Sequence, residues 1–576
     1  MAIMRLRTTA AVVTSLVVGG VGLVLPATGA TRGPAPAVYY VGAAQRSIDP
    51  TAAMIATKKM YLGGYGLGNG KLLLNTVDSP TGPGRYATGV LNKGKDGYGS
   101  SVRAIVVGDG VNAIALAQIE TQGYFAAYKQ GPYGIHEIRA DAAVAALKGK
   151  LAKGVPSMKI SAGSILVDSN HTHGGADTAG VWGFVPLEYM SLIKKQTIDA
   201  VAAAYQAMRP VNLSNGMAHA GVEGMTTLYP ATDPLMTNQF SKDPNNQLVD
   251  DELRVLQARD VKTGKVVSTY LNFSAHATVL GSENTLMSGD YTGVLSEKMA
   301  KRYGGLGFDQ EGTLGRSQPA RDGCRNPKLK GEAQSICALD SYAERVLKRV
   351  DQAVHTLKPL TGKPLVSLHS FLIMDTITSP AMMALSFGGF VAGVPINRAV
   401  NPPWFTGNEM GATSFSGRIG DLLISGGPGE MYPQIVKEVA AAVPAKGHFN
   451  IGTAGDFLGY IISPVSAYPE PIRKSLFDGE APPAGNTCSG IPSPVGCPSP
   501  VDNDNYFFNV SHTFGMRLTC SLLRGAGETF AGDAMAYWKS NPLCAAFAND
   551  LVVPADYDTT FPAQPDLSAL PIFKQR

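Results

Sequence analysis

The stretch Ile165-Leu-Val-Asp-Ser-Asn-His-Thr-His-Gly-Gly-Ala176 limits what this chain can fold into more than any other. An apolar run delivers two histidines and then two glycines, so a strand has to end where imidazoles meet a pliable turn. Read as strand throughout, it places His171 and His173 on one face and Thr172 on the other, because side chains alternate with a period of two. Two imidazoles on one face at a strand end can share a cation, and Gly174 and Gly175 let the backbone leave without blocking the open side. A pair of loop histidines hydrogen-bonded to backbone accounts for the same residues. A metal site needs three or four ligands, so the remaining donors must come from elsewhere in the chain.

The 576 residues assure a sizeable core in one large domain or two. Hydrophobic residues make up 44% and charged residues 16%, which describes an ordered, loop-rich globular protein rather than a disordered or coiled-coil one. The formal charge of +4 is small. No Lys/Arg cluster or aromatic-basic motif accompanies it, so no nucleic-acid partner is implied.

Arg5 and Arg7 precede an apolar run from Ala10 to Leu25 that breaks at Pro26 and reaches small residues at Ala27 and Ala30. Residues 1–30 therefore read as a secretory signal, cleaved near Ala30, and 31–37 as a linker. The run is short and glycine-interrupted for a membrane span, and no later segment is long and apolar enough for one. An extracellular protein without a transmembrane anchor follows. The six cysteines fall into three locally spaced pairs, Cys324 with Cys337, Cys488 with Cys497 and Cys520 with Cys544. In an exported chain these favour short-loop disulfides, and none has the Cys-x-x-Cys spacing of a zinc or redox motif.

Periodicity predicts an opening strand over Val38 to Ile48 and a hairpin of Val102 to Val107 with Asn112 to Ile119 around Gly108-Asp-Gly110. Further strands are expected over Asn212 to Ala220, Glu252 to Asp260, Val266 to Phe273, between Leu365 and Ile377, over Arg418 to Ser425 and over Phe449 to Thr453. Helices are expected over Gly134 to Leu147, Pro186 to Met208, Gly293 to Tyr303, Leu339 to Leu357, Met431 to Ala442 and from Phe514. Met60-Tyr-Leu-Gly-Gly-Tyr-Gly-Leu-Gly68 is glycine-rich but lacks the strand-to-helix setting of a dinucleotide fingerprint. Ala381 to Phe405 is apolar and irregular, suited to loop packing or to the rim of a site for a greasy substrate. Pro469 to Asp504 reads as a surface excursion. The main domain is expected over 38–535, with 536–576 as a tail packed on it.

Two more strands deliver chemistry to their ends. Val266 to Phe273 leads to His276, and Arg418 to Ser425 leads through Gly426-Gly-Pro-Gly to Glu430, where strand hands over to helix. Either residue alone is also accounted for as a satisfied structural histidine or a solvated helix-start carboxylate. Four Asn-x-Ser/Thr matches, at Asn170, Asn212, Asn272 and Asn509, are treated as chance, since a glycan on Asn170 or Asn272 would obstruct the site.

Asn170-His-Thr-His-Gly-Gly175, Asn272-Phe-Ser-Ala-His276 with Ser288-Gly-Asp290, Gly427-Pro-Gly-Glu430 and Gly459-Tyr-Ile-Ile-Ser-Pro464 together resemble, in order and rough spacing, the neutral/alkaline ceramidase family. Leu62-Gly-Gly-Tyr65 is similar too, and the likeness spans about Val41 to Gly525. The resemblance implies an α/β fold with mixed β-sheets flanked by helices, in one large metallohydrolase-like domain. The β-sandwich extension of better-known members does not follow it. It also implies a Zn2+-dependent amidohydrolase acting on a lipid, ceramide or another N-acyl lipid. The zinc ligands would be His173, His276, Glu430 and Tyr460, with His171 beside the metal as the acid that protonates the departing amine. The family's catalytic serine falls within Leu314-Gly-Arg-Ser-Gln-Pro319, where Gln318 stands at the aligned position and Ser317 one earlier, so Ser317 is the candidate. Two other readings stand beside this one: a hydrolase of the same fold acting on another amide or ester, and a secreted binding protein without catalysis.

Overall fold

Alternation along the strands divides their side chains between two buried faces, and that division builds the molecule. Along Ser101–Gly108, Ile105 and Val107 turn to one core while Val102, Ala104 and Val106 turn to another. Along Ala113–Ile119, Ile114 and Leu116 part in the same way from Ala113, Ala115, Ala117 and Ile119. Strands apolar on both faces belong inside a layered structure. The computed structural model describes residues 37–65, 85–92, 97–223, 233–238, 249–315, 317–320, 328–377, 409–462 and 513–530, with a few isolated positions beyond.

Nine strands form one mixed sheet, in the order Leu306–Glu311, Val266–Phe273, Glu252–Asp260, Arg209–His219, Val38–Ser47, Ser101–Gly108, Ala113–Ile119 and Ile165–Ser169, with Lys358–Pro359 added to Arg209–His219. Neighbours on this path are antiparallel except at the two edges, where the outermost strand runs parallel to its neighbour. Val366–Thr376, Glu409–Ile419, Leu422–Gly426 and Gly447–Ile451 form a second, four-stranded sheet. Tyr39, Ile105, Leu116, Leu166 and Tyr270 of the first share a core with Leu368, Phe415, Ile424 and Phe449 of the second, so the sheets pack face to face. Helices Leu187–Gln206, Asp290–Tyr303 and Glu332–His355 pack on the large sheet, and Phe514–Phe530 packs on the small one. Gly42 is what lets the first of these press so close, since a Cβ there would sit 2.0 Å from the Ala204 carbonyl oxygen.

Twist then decides where the strand ends go. At roughly 20–25° per step, the eight strands of the main path accumulate about 160°. The two edges curl toward each other: Gln310 Nε2 on one edge donates to Asp168 Oδ1 on the other at 2.6 Å. Strands that are antiparallel by topology thereby deliver their ends to one place, and the segments after Ile165–Ser169 and after Val266–Phe273 meet.

The expected Glu252–Asp260 and Val266–Phe273 hairpin is present with those bounds. Two strand expectations need correction. The strand from Ile165 stops at Ser169, and His171 has a left-handed φ of 55°, so Asn170 to His173 is a turn rather than strand. Arg418 to Ser425 is not one strand either. Gly420, with φ 58°, and Asp421 form a two-residue turn between Ile419 and Leu422, which face each other. Helix Glu332–His355 begins earlier than Leu339 because none of the side chains before Leu339 is buried, so its first turns lie outside the apolar stripe that marks the rest. Cys324–Cys337 and Cys520–Cys544 are disulfide-bonded. Cys497, the segment 381–405, most of 469–504 and most of the 536–576 tail lie outside the described residues. Asn170 and Asn272 are fully buried and hydrogen-bonded, which excludes them as glycan acceptors in the folded chain. No helix among the described residues is long and apolar enough to cross a membrane.

The meeting of the sheet edges buries acid. Burial pushes the Asp168 carboxyl up to about 8, although the amides of Gln118 and Gln310 donate to it. Asp309 and Glu311, buried along one edge strand, are raised as well, also by burial first. A carboxyl raised on folding stabilises the fold below its unfolded value near 4 and loses that contribution as pH climbs through the folded value. For Asp168 the window is about pH 4 to 8, and the effect is on the order of a few kcal/mol. Asp168→Asn removes this ionisation, so its melting temperature relative to the parent rises from pH 5 to pH 8. A difference that stays constant across that range would show that Asp168 does not titrate there.

Candidate metal centre

Each of the expected site residues reaches the place where the sheet edges meet, and each is held there by identifiable bonds. Past Phe273, Ser274 Oγ is tied to Asp250 and the Ala275 carbonyl accepts from Tyr291, so His276 enters the site from a fixed backbone. Its Nδ1 lies 2.5 Å from the Ser317 carbonyl. Asp290, itself left-handed with φ 61°, accepts the Val279 and Leu280 amides and pins the loop that follows.

At the other edge, Asn170 makes the turn that the strand reading missed. Its Oδ1 accepts the Thr172 amide, and its Nδ2 donates to the Gly289 carbonyl and Thr292. That Asx turn swings His171 into the left-handed region, a strain of order 1 kcal/mol that tends to persist where function fixes it. His171 Nδ1 lies 2.7 Å from the Gln122 carbonyl, and its ring lies 5.3 Å from that of Phe457. His173 comes back to the same point, its Nε2 3.2 Å from His171 Nε2.

The half-buried His173 ring rests on the glycine-rich segment and meets Tyr65 edge-on at 4.8 Å. A Cβ on Gly64, whose φ is 89°, would stand 2.2 Å from that ring. Gly64 is therefore a bed for the imidazole, while Gly63 makes room for the Gln122 side chain. The buried Arg85 guanidinium donates to the carbonyls of Gly63, His173 and Asn284, binding the three loops around the site together.

Glu430 and Tyr460 sit opposite each other in a two-strand parallel pair, which puts both side chains at one point. The Glu430 carboxylate lies 2.9 Å from His276 Nε2 and 3.4 Å from His171 Nε2, and Tyr460 hydrogen-bonds to it. Nε2 of His171, Nε2 of His276 and the carboxylate form the group that could hold a metal ion, all buried and within 4.8 Å of one another. His173 adjoins this group through His171. Ser317 touches the site by its carbonyl, while its buried hydroxyl has no hydrogen-bond partner among the described residues. Gln318 accepts a hydrogen bond from Thr278.

The donor chemistry fits a cation. Both Nδ1 atoms face carbonyl oxygens and so carry their protons, which leaves both Nε2 atoms turned toward the Glu430 carboxylate. Two imidazole nitrogens and a carboxylate converge on one point, and either a shared proton or a cation between them satisfies that convergence. Burial pushes the His171 imidazole down, outweighing the nearby Glu430 and disfavouring a proton. Burial also acts to raise Glu430, but His171, His276 and Tyr460 overcome it and hold the carboxyl below its ordinary value. An ionised carboxylate beside an imidazole that burial keeps from protonating suits a metal ion, and tetrahedral bonds of about 2.0–2.1 Å would place donors roughly 3.4 Å apart.

Arg85, Gln122, Asp290 and Phe457 escaped the sequence reading. Gln122 and Arg85 act through or upon backbone carbonyls, which leave no residue pattern. Asp290 lay inside the quoted Ser-Gly-Asp segment, and its role could have been sought there.

No protein-family model and no curated protein matches the sequence. Solved structures do. The crystal structure of neutral ceramidase from Pseudomonas aeruginosa matches with a TM-score of 0.55 at 13% identity, over 86% of this chain and 74% of that one. A ceramidase complexed with C2 matches with a TM-score of 0.54 at 14% identity, over 88% of this chain and 76% of that one. The two facing sheets and their helical covers therefore make up the fold of the neutral ceramidases.

Proposed function

We propose that the chain is an exported zinc-dependent amidohydrolase of N-acyl lipids, ceramide first among them, releasing a fatty acid and a sphingoid amine. The observation that carries this is the convergence of His171 Nε2, His276 Nε2 and the Glu430 carboxylate on a ceramidase fold. Residues 1–30 serve as the cleaved signal, in keeping with the two disulfides.

In this reading His171, His276 and Glu430 hold the zinc and Tyr460 offers a fourth oxygen. His171 and His173 thus exchange the roles that family resemblance alone implies. Bound there, zinc would supply Lewis-acid polarisation of the amide carbonyl and a more acidic water. The Gln122 and Ser317 carbonyls keep both ligand rings in one tautomer and orientation. Phe457 covers one face of His171 and keeps solvent from that side. His173, less buried than the others, is placed to move a proton to the amine nitrogen as the C–N bond breaks, which an amide needs because its anion leaves poorly. Ser317 acts as a positioning residue through its carbonyl. Ser317→Ala keeps that carbonyl, so hydrolysis stays within about threefold of the parent, whereas a nucleophilic serine would cost several orders of magnitude on truncation.

Gln318, standing where the family serine aligns and bonded to Thr278, favours a second reading in which another amide or ester is the substrate. Metal analysis of the purified protein, with fatty-acid release measured on a panel of N-acyl lipids and simple esters, separates them. One zinc per chain and release from N-acyl lipids is the expected result. Zinc with ester cleavage alone selects the second reading, and neither metal nor hydrolysis leaves a binding protein.

A further inference from the structure

We propose that the end of the molecule opposite the candidate metal centre docks on an anionic lipid bilayer. The strands that deliver the histidines share a second pole at their other ends, and their register fixes which turns meet there. Tyr40 faces Gly108 in one neighbouring strand and Pro210 in the other, and the Val261 amide donates to the Pro210 carbonyl at 3.1 Å. The hairpin tips 108–112 and 260–265 therefore stand at one end with the start of Val38–Ser47. The Lys159 amide donates to the Val111 carbonyl at 2.8 Å and Asp109 accepts the Val366 amide, which brings Lys159 and the small sheet to the same end. This pole lies about 25 Å from the histidine end, the length of Ser101–Gly108.

Apolar side chains protrude from it. Val111 is 61% exposed, Val261 49%, Val38 41% and Leu365 38%, so half of the large hydrophobics exposed among the described residues stand at this pole. Single exposed apolar residues are ordinary, but a gathering of them marks a contact surface. Lys159, Arg209, Lys262, Lys265 and Lys363 are set among them, all exposed and none in an ion pair among the described residues. The carboxylates of the same turns are engaged: Asp109 accepts the Val111, Asn112 and Val366 amides, Asp260 accepts those of Lys262 and Thr263, and Asp421 pairs with Lys446 at 2.7 Å. The cations outnumber these acids, although the formal charge of the whole chain is only +4.

Aliphatic tips among lysines suit the headgroup boundary of an anionic bilayer, where apolar side chains insert and each cation gains from the negative surface potential. A soluble acidic polymer would use the cations and leave the valines without a role. The chain also enters the fold here, since Val38 opens its first strand. The pole that leads back to the export signal read over residues 1–30 is thus the one that carries the patch. Docking this way is independent of the proposed reaction and turns the histidine site toward solution. The test is co-sedimentation of the chain freed of residues 1–30, so that the signal cannot itself insert, with phosphatidylcholine vesicles containing or lacking phosphatidylglycerol.

Binding to the anionic vesicles at least about tenfold tighter than to the neutral ones is expected, and it weakens as salt rises. Lys262→Glu with Lys265→Glu, both at exposed turn positions, reduces it at least about tenfold. Val111→Ser with Val261→Ser also weakens it, without altering charge, and Glu430→Gln leaves it unchanged. Melting temperatures equal to the parent's show that the surface variants are folded. Absent binding, equal binding to the two kinds of vesicle, or binding that either pair of substitutions leaves intact overturns the proposal. If only the serine pair leaves it intact, affinity for soluble polyglutamate identifies an acidic polymer as the partner instead. Loss of binding in Glu430→Gln also overturns it, because the lipid would then sit at the histidine site.

Discussion

Under the proposed function, Glu430→Gln is expected to yield a folded protein that retains little zinc and releases fatty acid from N-acyl lipids roughly 1,000-fold more slowly, about 4 kcal/mol of lost transition-state stabilisation. The carboxylate is the sole anion in the group of His171, His276 and Glu430, and it faces both imidazole Nε2 atoms at 2.9 and 3.4 Å. An amide in its place removes the charge that a divalent ion needs. It also offers an N–H to His171 Nε2, where burial disfavours a proton, so the metal-free fold becomes more comfortable as the metal-bound one weakens. The two effects separate in a melting experiment. Added zinc raises the parent's melting temperature by mass action on the native state and leaves that of the variant unmoved, while the metal-free variant melts no lower than the metal-free parent. Full zinc content in Glu430→Gln would sink the assignment, because the carboxylate would then be only a hydrogen-bond partner of His276. His276→Ala should lose zinc in the same way, but it also empties a buried volume beside Ser317, so the glutamine variant is the cleaner probe.

What was legible in the sequence is uneven in a physically sensible way. Strands buried on one or both faces write themselves as apolar runs, and the Glu252–Asp260 and Val266–Phe273 hairpin could be read to its bounds because Lys262-Thr-Gly-Lys265 turns it. The delivery of His276 and Glu430 to strand ends was legible for the same reason. The geometry of His171 and His173 was not. A period of two assumes extended backbone, whereas Asn170 uses its side chain to make a turn, and the two rings meet because the chain doubles back rather than because they share a strand face. Which histidine joins the compact group is decided by the Gln122 carbonyl and the left-handed φ of His171, neither of which leaves a mark in composition or spacing. Closure of the sheet edges was also invisible, since the accumulation of twist depends on how many strands pair and in what order. Met60 to Gly68 taught the converse lesson. It has no setting for a nucleotide loop, and the use of Gly64 is steric, as a flat bed for the His173 ring.

Asp250→Ala, which touches no candidate ligand, is expected to cost about 3 kcal/mol of stability. The Asp250 carboxylate is fully buried and accepts both Arg254 Nη atoms at 2.7 and 2.8 Å, Ser274 Oγ at 2.8 Å and Asn450 Nδ2 at 2.9 Å. Asn450 in turn accepts the Thr313 amide and donates its own amide to Asn272. One carboxylate thus joins the approach to Glu252–Asp260, the end of Val266–Phe273, a strand of the small sheet and the segment after Leu306–Glu311. Removing it strands a nearly buried guanidinium. The cost falls at the low end of the usual range for breaking a buried pair because Glu252 still reaches Arg254 at 2.8 Å. Measured by urea unfolding at pH 7, the midpoint falls while the slope stays put, since the surface exposed on unfolding is unchanged. The sign with pH follows from the carboxyl itself. Burial acts to raise it, but Arg254 and the hydrogen bonds from Arg254, Asn450 and Ser274 hold it far below its ordinary value. Its contribution is therefore present above the unfolded value near 4 and is lost only as pH falls through the depressed folded value. The gap between parent and variant should persist at pH 4 and narrow only in stronger acid. A gap that closes between pH 6 and 4 would show that the Asp250–Arg254 pair is hydrated and that the junction beneath His276 is held by its amides instead.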